Sequence, residues 1–153
     1  MVRLEADAID PGALLADFCR DRTDVGGVVS FTGLTRGRTD GADVARLSLD
    51  AYPGYTETVM AELEAETRVR FSVIDVLVAH RWGDLSVGEP VVFVAVAAEH
   101  RRAAFEAADF LMDQLKTRAP FWKKETGPDG ERWIEARAQD HADAARWKTG
   151  DTP

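Results

Sequence analysis

The segment Leu115–Glu125, LKTRAPFWKKE, joins a predicted helix to a predicted strand and concentrates positive charge in an acidic chain. It contains four basic residues before its final glutamate, whereas the whole chain has a formal net charge of -8. The ring of Pro120 cannot continue a helix and favours an extended conformation for the residue before it. We therefore expect Lys116 in the last turn of a helix and Lys123 on an extended segment. From two such elements the ammonium groups can converge on one cavity.

The same basic segment has a plainer explanation. Lys116 and Arg118 would complement the negative end of the helix dipole, and the two later lysines could be a solvated strand end. Against this, Phe121 and Trp122 lie between the cations, and large aromatic residues are uncommon in a fully solvated turn. The segment alone leaves both interpretations open.

Length and composition predict one domain that spans residues 1–153. The chain has 153 residues, of which 45% are hydrophobic and 30% charged, enough for a substantial core. We expect residues 148–153 to be a frayed tail. No apolar run approaches the roughly 20 residues of a membrane span, and the first ten residues contain no apolar signal region. These features predict a cytoplasmic protein.

Several classes of function are disfavoured by composition. A single cysteine, Cys19, excludes an internal disulfide and a cysteine-cluster metal site. The three histidines are far apart and show no ligand spacing, so we predict neither a metal nor a cofactor. A pI of about 4.9 argues against general nucleic-acid binding. It does not preclude a basic cleft for a small anion.

Alternating and helical patterns predict an α+β fold with mainly antiparallel pairing. The predicted strands cover residues 2–6, 25–34, 44–52, 72–80, 91–98 and 132–137, and the predicted helices cover residues 11–19, 55–69, 101–117 and 138–147. We expect strand 44–52 to form a hairpin with the strand before it, and strands 72–80 and 91–98 to lie centrally, joined by a turn region. Two buried helical stripes are predicted: Val59, Met60, Leu63 and Glu66, and then Phe105, Ala108, Met112 and Leu115.

Two further groups of cations are candidates for anion binding. Arg36 and Arg38 alternate with glycines in a loop from which an arginine can reach a phosphate or carboxylate, although a surface hairpin would look the same. His100 and Arg101 are followed by Arg102 at a predicted helix N-terminus, where cations are unfavourable unless an anion offsets them. The neighbouring glutamate could supply that offset instead.

Much of the chain resembles the large, catalytic subunit of molybdopterin synthase. The resemblance is carried by VGGVVSFTGLTR (residues 25–36), LSLDAY (47–52), RWIEA (132–136) and above all the long run from His80 to Glu125. It covers about Gly26 to Arg137. Asp50 stands where a glutamate is common in that family, and the loop after Arg36 is variable.

The resemblance implies an α/β-hammerhead type of α+β fold, with a mainly antiparallel sheet and flanking helices. It also implies the conversion of cyclic pyranopterin monophosphate to molybdopterin by transfer of two sulfurs. In that family a small ubiquitin-like subunit brings each sulfur as the thiocarboxylate of its C-terminal Gly-Gly tail. The assembly is a heterotetramer built on a homodimer of large subunits, whose active sites draw residues from both.

Site residues follow from the resemblance. Lys116 and Lys123 would be catalytic, with Lys116 activating the substrate or holding an intermediate and Lys123 stabilising developing negative charge and orienting the thiocarboxylate. A lysine crowded by other cations is expected to have a lowered pKa. Substrate-binding groups would be Leu34, Thr35, Arg36, His100, Arg101, Lys116, Lys123, Lys124 and Glu125. Leu34 and Thr35 would contribute backbone, Glu125 would fix Lys123, and Arg137 is a further candidate anion contact.

Two other functions use the same cations. One is a binding module that receives an acidic partner's C-terminal tail without chemistry. The other is an enzyme that acts on a different phosphorylated heterocycle. Turnover that depends on Lys116 would distinguish a sulfurtransferase from the binding module. A substrate panel would distinguish it from an enzyme for another heterocycle.

Overall fold

Two four-stranded sheets and a small hairpin, flanked by helices, form the fold of residues 1–148, the part of the chain that the computed structural model describes. The strands are β1 (Val2–Glu5), β2 (Gly27–Leu34), β3 (Arg38–Thr39), β4 (Ala42–Asp43), β5 (Arg46–Asp50), β6 (Asp75–Arg81), β7 (Gly83–Ser86), β8 (Pro90–Ala98), β9 (Trp122–Gly127) and β10 (Gly130–Ile134). The helices are α1 (Pro11–Cys19), α2 (Tyr55–Phe71), α3 (Arg101–Arg118) and α4 (Ala138–Ala145). Of the predicted frayed tail, residues 149–153 lie outside the described residues.

The first sheet has the order β1-β6-β8-β2, and the second has the order β10-β9-β5-β7. Every pairing is antiparallel except that of β1 with β6. The prediction of a mixed α+β fold with mainly antiparallel pairing is confirmed. The two most apolar strands, β6 and β8, lie in the middle of the first sheet, as predicted.

The core lies on both faces of the first sheet. Side chains of α2 and α3, such as Met60, Leu63 and Leu111, pack on one face against alternate residues of β6 and β8. Phe18 of α1 packs on the opposite face. Because both faces are covered, β8 is apolar along its whole length rather than alternating.

Local sequence signals set several helix boundaries. The Asp10 side chain accepts a hydrogen bond from the backbone N–H of Ala13 at 3.0 Å, and Pro11 occupies the first turn of α1. Helix α3 ends at Arg118, and Ala119, the residue before Pro120, is extended with φ -70° and ψ 128°. Both boundaries agree with the sequence prediction.

Four predictions about local structure were wrong. Strand β5 pairs with β7 and β9 rather than with β2, and the presumed turn between β6 and β8 contains β7. Glu66 is exposed on α2 and bonded to Arg118, whereas Thr67 occupies the buried stripe. Phe105 is 62% exposed on α3, although its spacing with buried Leu115 predicts a core position.

Candidate functional site

A pocket of about 260 Å³ opens where the end of β2, the end of α3, strand β9 and the start of α4 meet. Its wall combines apolar surface with a cluster of charges. The apolar part includes Phe31, Leu34, Leu47, Val92, Met112, Leu115, Phe121 and Ile134. The titratable and charged part is Arg36, His80, Lys116, Lys123, Glu125, Glu135, Arg137 and Asp140.

The basic segment contributes both of its predicted lysines to this pocket. Lys116 lies in the last turn of α3, and Lys123 lies on β9 after the break at Pro120. Both line the same cavity, so the expected convergence of two ammonium groups from two elements is confirmed.

Lys116 forms an ion pair at the rim of the pocket. Its Nζ lies 2.9 Å from Oδ1 of Asp140, and the side chain of Lys116 is 50% exposed while that of Asp140 is 13% exposed. The second oxygen of Asp140 accepts a hydrogen bond from the backbone N–H of Arg137 at 2.8 Å. The carboxylate is therefore held by its own helix and presented to the lysine.

Lys123 lies deeper than Lys116 and carries the perturbed ionisation. Burial lowers the pKa of Lys123 below 10.5, and the charges of Lys116 and Arg36 lower it further, whereas Asp140 opposes the shift. The expectation of a lowered lysine pKa is confirmed for Lys123, with burial as the larger cause. A buried amine of this kind can give up a proton nearer neutral pH than an exposed lysine.

His80 is a pocket residue that the sequence interpretation did not select. Its ring is 7% exposed and stacks on Phe121 with centroids 3.9 Å apart. Burial lowers the pKa of His80 to about 4, and Nδ1 lies 2.8 Å from the carbonyl oxygen of Arg81. A neutral ring whose Nδ1–H donates to that carbonyl has an unprotonated Nε2.

The loop after β2 brings Leu34, Thr35 and Arg36 to the pocket. The backbone N–H of Thr35 donates to the carbonyl of Glu89 at 2.9 Å, and its carbonyl accepts from the N–H of Gly88 at 2.8 Å. The Thr35 hydroxyl is buried and has no hydrogen-bond partner within residues 1–148. The side chain of Thr35 therefore has free hydrogen-bonding capacity.

Glu125 and Lys124 lie on opposite faces of β9. Glu125 lines the pocket and accepts hydrogen bonds from the Thr39 hydroxyl at 2.9 Å and from Arg132 at 2.8 Å. Lys124 pairs with Glu131 at 3.1 Å and lies over the Trp133 ring, so the structure does not bring it to the pocket.

His100 and Arg101 are at the other end of α3 and are exposed. Fifteen residues of helix separate Arg101 from Lys116, a distance of about 22 Å along the axis. Within one chain these two groups therefore do not reach the pocket.

Asp140, like His80, was missed by the sequence interpretation. The only local feature of Asp140 is that it lies three residues after Arg137, which precedes the first turn of α4. An acidic residue at that position is typical of a helix cap. Its pairing with Lys116 spans 24 positions of the chain, and no periodicity reports such a contact. The candidate anion contact Arg137 does line the pocket and pairs with Asp40 at 2.9 Å.

Fold and pocket together define a class of protein: an α+β protein whose strands and helices bring several cations around one cavity. The chain matches the family model described as "MoaE protein" over residues 4–118. The molybdopterin synthase catalytic subunit of Caulobacter vibrioides is 49% identical over 147 residues, which cover 96% of this chain and 97% of that protein. The corresponding subunit of Escherichia coli (strain K12) is 50% identical over 127 residues, or 83% and 85% of the two chains.

A solved structure, the molybdopterin biosynthesis MoaE protein from Burkholderia ambifaria MC40-6, superposes with a TM-score of 0.82 at 42% identity. The match covers 97% of this chain and 98% of that one. The chain belongs to the MoaE family, and the resemblance noted from its sequence is confirmed.

Among residues 1–148, no helix has the length and apolar character needed to cross a membrane.

Proposed function

We propose that this chain is the catalytic subunit of a cytoplasmic molybdopterin synthase, a sulfurtransferase that converts cyclic pyranopterin monophosphate to molybdopterin. The observation that carries the proposal is the convergence of Arg36, Lys116 and Lys123 on one pocket with a largely apolar wall. The names of its relatives in Caulobacter vibrioides and Escherichia coli point to the same activity.

The charges of the pocket suit a phosphorylated heterocycle. A guanidinium and two ammonium groups can bind a phosphate ester through charge-assisted hydrogen bonds. The aromatic and aliphatic wall, with Phe31, Phe121 and Met112, offers surface for a flat ring system. Such a ring with an anionic group satisfies both parts of the pocket.

The sulfur would come from the thiocarboxylated C-terminus of a small ubiquitin-like subunit. A Gly-Gly tail has no side chains, so it fits a narrow cleft whose rim carries positive charge. Each transfer replaces a carbon–oxygen bond of the pterin side chain with a carbon–sulfur bond, and the oxygen leaves as a phosphate hydroxyl or as water. Water then cleaves the acyl carbon–sulfur bond of the former thiocarboxylate and returns the tail as a carboxylate. A donor of this kind explains how the chain can act with one cysteine, the exposed Cys19.

The two lysines would divide the work according to their surroundings. Lys116, at the exposed rim, would meet the incoming tail and would activate the substrate or hold a covalent intermediate. Lys123, deeper and with a lowered pKa, is placed to stabilise developing negative charge and to exchange a proton.

His100 and Arg101 would reach the site from a second copy of the chain. Strand β2 is an edge strand of the first sheet, with its Gly27 end against Arg101 and its Leu34 end at the pocket. If two β2 strands pair antiparallel, the Gly27 end of one copy lies beside the Leu34 end of the other. His100 and Arg101 of the second copy then flank the pocket of the first.

The surface beside β2 supports such a homodimer. Phe31 on the strand is 45% exposed and Phe105 on α3 is 62% exposed, and both line a groove between these elements. An unpaired edge with adjacent aromatic surface is an unfavourable surface for a monomer in water. A homodimer with one small subunit at each end gives the proposed heterotetramer.

Single-turnover conversion of cyclic pyranopterin monophosphate tests the function directly. Purified wild type and Lys116→Ala are each mixed with the thiocarboxylated small subunit, and dithiolene product is measured alongside tail binding and thermal unfolding. We expect product from the wild type only with the partner, and a loss of at least about a hundredfold in a folded Lys116→Ala variant.

Three results would contradict the proposal. Equal turnover by Lys116→Ala and wild type would remove Lys116 from the chemistry. A folded wild type that binds the partner but forms no product would indicate a binding module. Turnover of another phosphorylated heterocycle in preference to the pterin would indicate a different enzyme.

A further inference from the structure

We propose that Asp140 is a positioning residue of this site: its carboxylate fixes the Lys116 ammonium at the rim of the pocket and sets the charge balance around Lys123. The inference rests on the proposed function for its kinetic consequences, but its geometric basis is independent of the reaction. Asp140 lines the pocket from α4, an element that lies beyond the residues matched by the family model.

Asp140 is held from two directions. One oxygen contacts Lys116 Nζ at 2.9 Å, and the other accepts the backbone N–H of Arg137 at 2.8 Å. With its side chain only 13% exposed, the anion is the fixed member of the ion pair and the half-exposed lysine is the adaptable one. Removing the carboxylate should therefore free the end of a long, flexible side chain.

Helix α4, which carries Asp140, is itself anchored. Arg146 pairs with Asp109 and Asp113 of α3, each at 2.8 Å. The Trp147 indole N–H donates to Asp113 at 2.7 Å, and its ring packs against Phe110. Because α3 also carries Lys116, the positions of both Lys116 and Asp140 are fixed relative to the same helix.

The Asp140 carboxylate shares the pocket with several cations. The other charged or titratable side chains that face Lys123 across the pocket are Arg36, His80, Lys116, Glu125, Glu135 and Arg137. Glu125 is bonded to Arg132 and Thr39, whereas Asp140 is bonded to Lys116 and favours the charged form of Lys123. Neutralising Asp140 thus changes the potential felt by both lysines.

An incoming anion meets this same ion pair. The thiocarboxylate of the proposed partner carries one negative charge and would compete with Asp140 for Lys116. The carboxylate thereby keeps Lys116 oriented until the tail arrives. Its loss should make anion binding no weaker while making the following chemistry slower, a combination that loss of structure does not produce.

The test compares Asp140→Asn with Asp143→Asn, a change of the same kind on the same helix. Asparagine retains a side-chain oxygen for the Arg137 N–H, so the start of α4 is preserved. Asp143 bonds Gln139 at 2.7 Å and does not line the pocket. Both variants are made in the full chain.

The first readout needs no substrate. Trace acetylation with acetic anhydride is followed at Lys123 by mass spectrometry from pH 6 to 11, with exposed Lys148 as the internal reference. We expect the Lys123 titration to move to lower pH in Asp140→Asn and to stay at the wild-type position in Asp143→Asn. Coincident Lys123 curves in all three proteins would overturn the charge-balance role.

The second readout is steady-state turnover with the thiocarboxylated partner. We expect kcat of Asp140→Asn to fall roughly tenfold to a hundredfold, as for a misplaced reacting group, with KM for the partner unchanged or lower. Unchanged kcat, or an equal fall in Asp143→Asn, would overturn the positioning role. If the wild type forms no product, the proposed function fails, and the acetylation curves still decide whether Asp140 controls Lys123.

Discussion

At the scale of single residues, the two neighbouring lysines of β9 give a matched comparison. Lys123 lines the pocket, whereas Lys124 pairs with Glu131 on the other face of the strand. We expect Lys123→Ala to lower kcat/KM by about a hundredfold or more, because a charge-stabilising group is lost from a low-dielectric site. Lys124→Ala should stay within a fewfold of wild type.

Single-turnover kinetics of both alanine variants make the measurement. A larger loss in Lys124→Ala than in Lys123→Ala would reverse the assignment of the two strand faces. The sequence alone predicted both lysines for the site, since adjacency in the chain does not distinguish the faces of a strand until its register is known.

The lowered pKa of buried His80 makes a prediction about how folding stability depends on pH. Its pKa is about 4 in the folded chain and about 6.5 when unfolded, so between these values the unfolded chain binds the extra proton. Its contribution is fully present above pH 6.5 and is lost as pH falls toward 4. At pH 4.5 the loss is about 2 kcal/mol of the free energy of unfolding.

Urea unfolding at pH 7 and pH 4.5 measures this contribution. We expect His80→Phe, which cannot titrate, to lose less stability between these two conditions than the wild type does. His141→Gln, which replaces an exposed histidine, should follow the wild type. An identical pH dependence in His80→Phe and wild type would show that the ring titrates normally in the folded state.

At the scale of secondary-structure elements, Trp147, which lies just after α4, is expected to act as the anchor of that helix. The Trp147 ring packs edge-on against Phe71 and Phe110, with centroids 5.8 and 5.5 Å apart. We expect Trp147→Ala to lower the free energy of unfolding by about 2 kcal/mol, below the range for a fully buried tryptophan. It should also lower kcat, because Asp140 and Arg137 are carried by the segment that loses its anchor.

Trp133→Ala is the control, since Trp133 is 60% exposed and should change stability by no more than about 0.5 kcal/mol. Urea denaturation and turnover are measured for both variants. A Trp147→Ala protein with wild-type kcat would mean that α4 stays in place without its tryptophan.

Elements with strong local signals could be predicted from the sequence, whereas pairings between distant segments could not. Asp10 with Pro11, and Pro120 after Arg118, set the ends of α1 and α3 through capping and steric exclusion. The pairing of β5 was not predicted because its partner β9 lies more than 70 residues away along the chain. The alternation of polar and apolar residues in β5 does not specify which sheet the strand joins.

In the candidate site, too, residues with local sequence signals could be predicted, and residues defined by distant contacts could not. Lys116 and Lys123 could be predicted because both lie in one short segment with a proline between them. His80 and Asp140 could not, because each gains its role from burial or from a contact across the fold. Phe105 has a core spacing but is exposed in the single chain, as expected of a residue on a surface that the proposed second copy would cover.

At the scale of the whole molecule, the proposed sharing of the active site between two chains makes a prediction about mixtures. Arg101→Ala and Lys116→Ala should each be nearly inactive by itself. When the two chains are coexpressed, a mixed dimer has one site with both residues intact and one with neither. Random assembly should then restore about a quarter of the wild-type sites.

Turnover by the coexpressed pair, with the dimer confirmed by light scattering, makes the measurement. Coexpressed Lys116→Ala and Lys123→Ala chains form the control, because both changes fall in the same chain's pocket and mixing restores no site. Activity in the first mixture equal to the mean of its two separate variants would contradict a site that takes Arg101 from the second chain.

The cationic pocket lies in a protein of net charge -8, and this contrast has a kinetic consequence. At low ionic strength, where the Debye length is about 30 Å (~0.01 M salt), an anionic phosphate ester approaching the protein meets an overall repulsive field. Only near the pocket does the field become attractive. Added salt should therefore speed the association of such a ligand while shortening its residence, so that stopped-flow traces at rising ionic strength would show both rate constants increasing together.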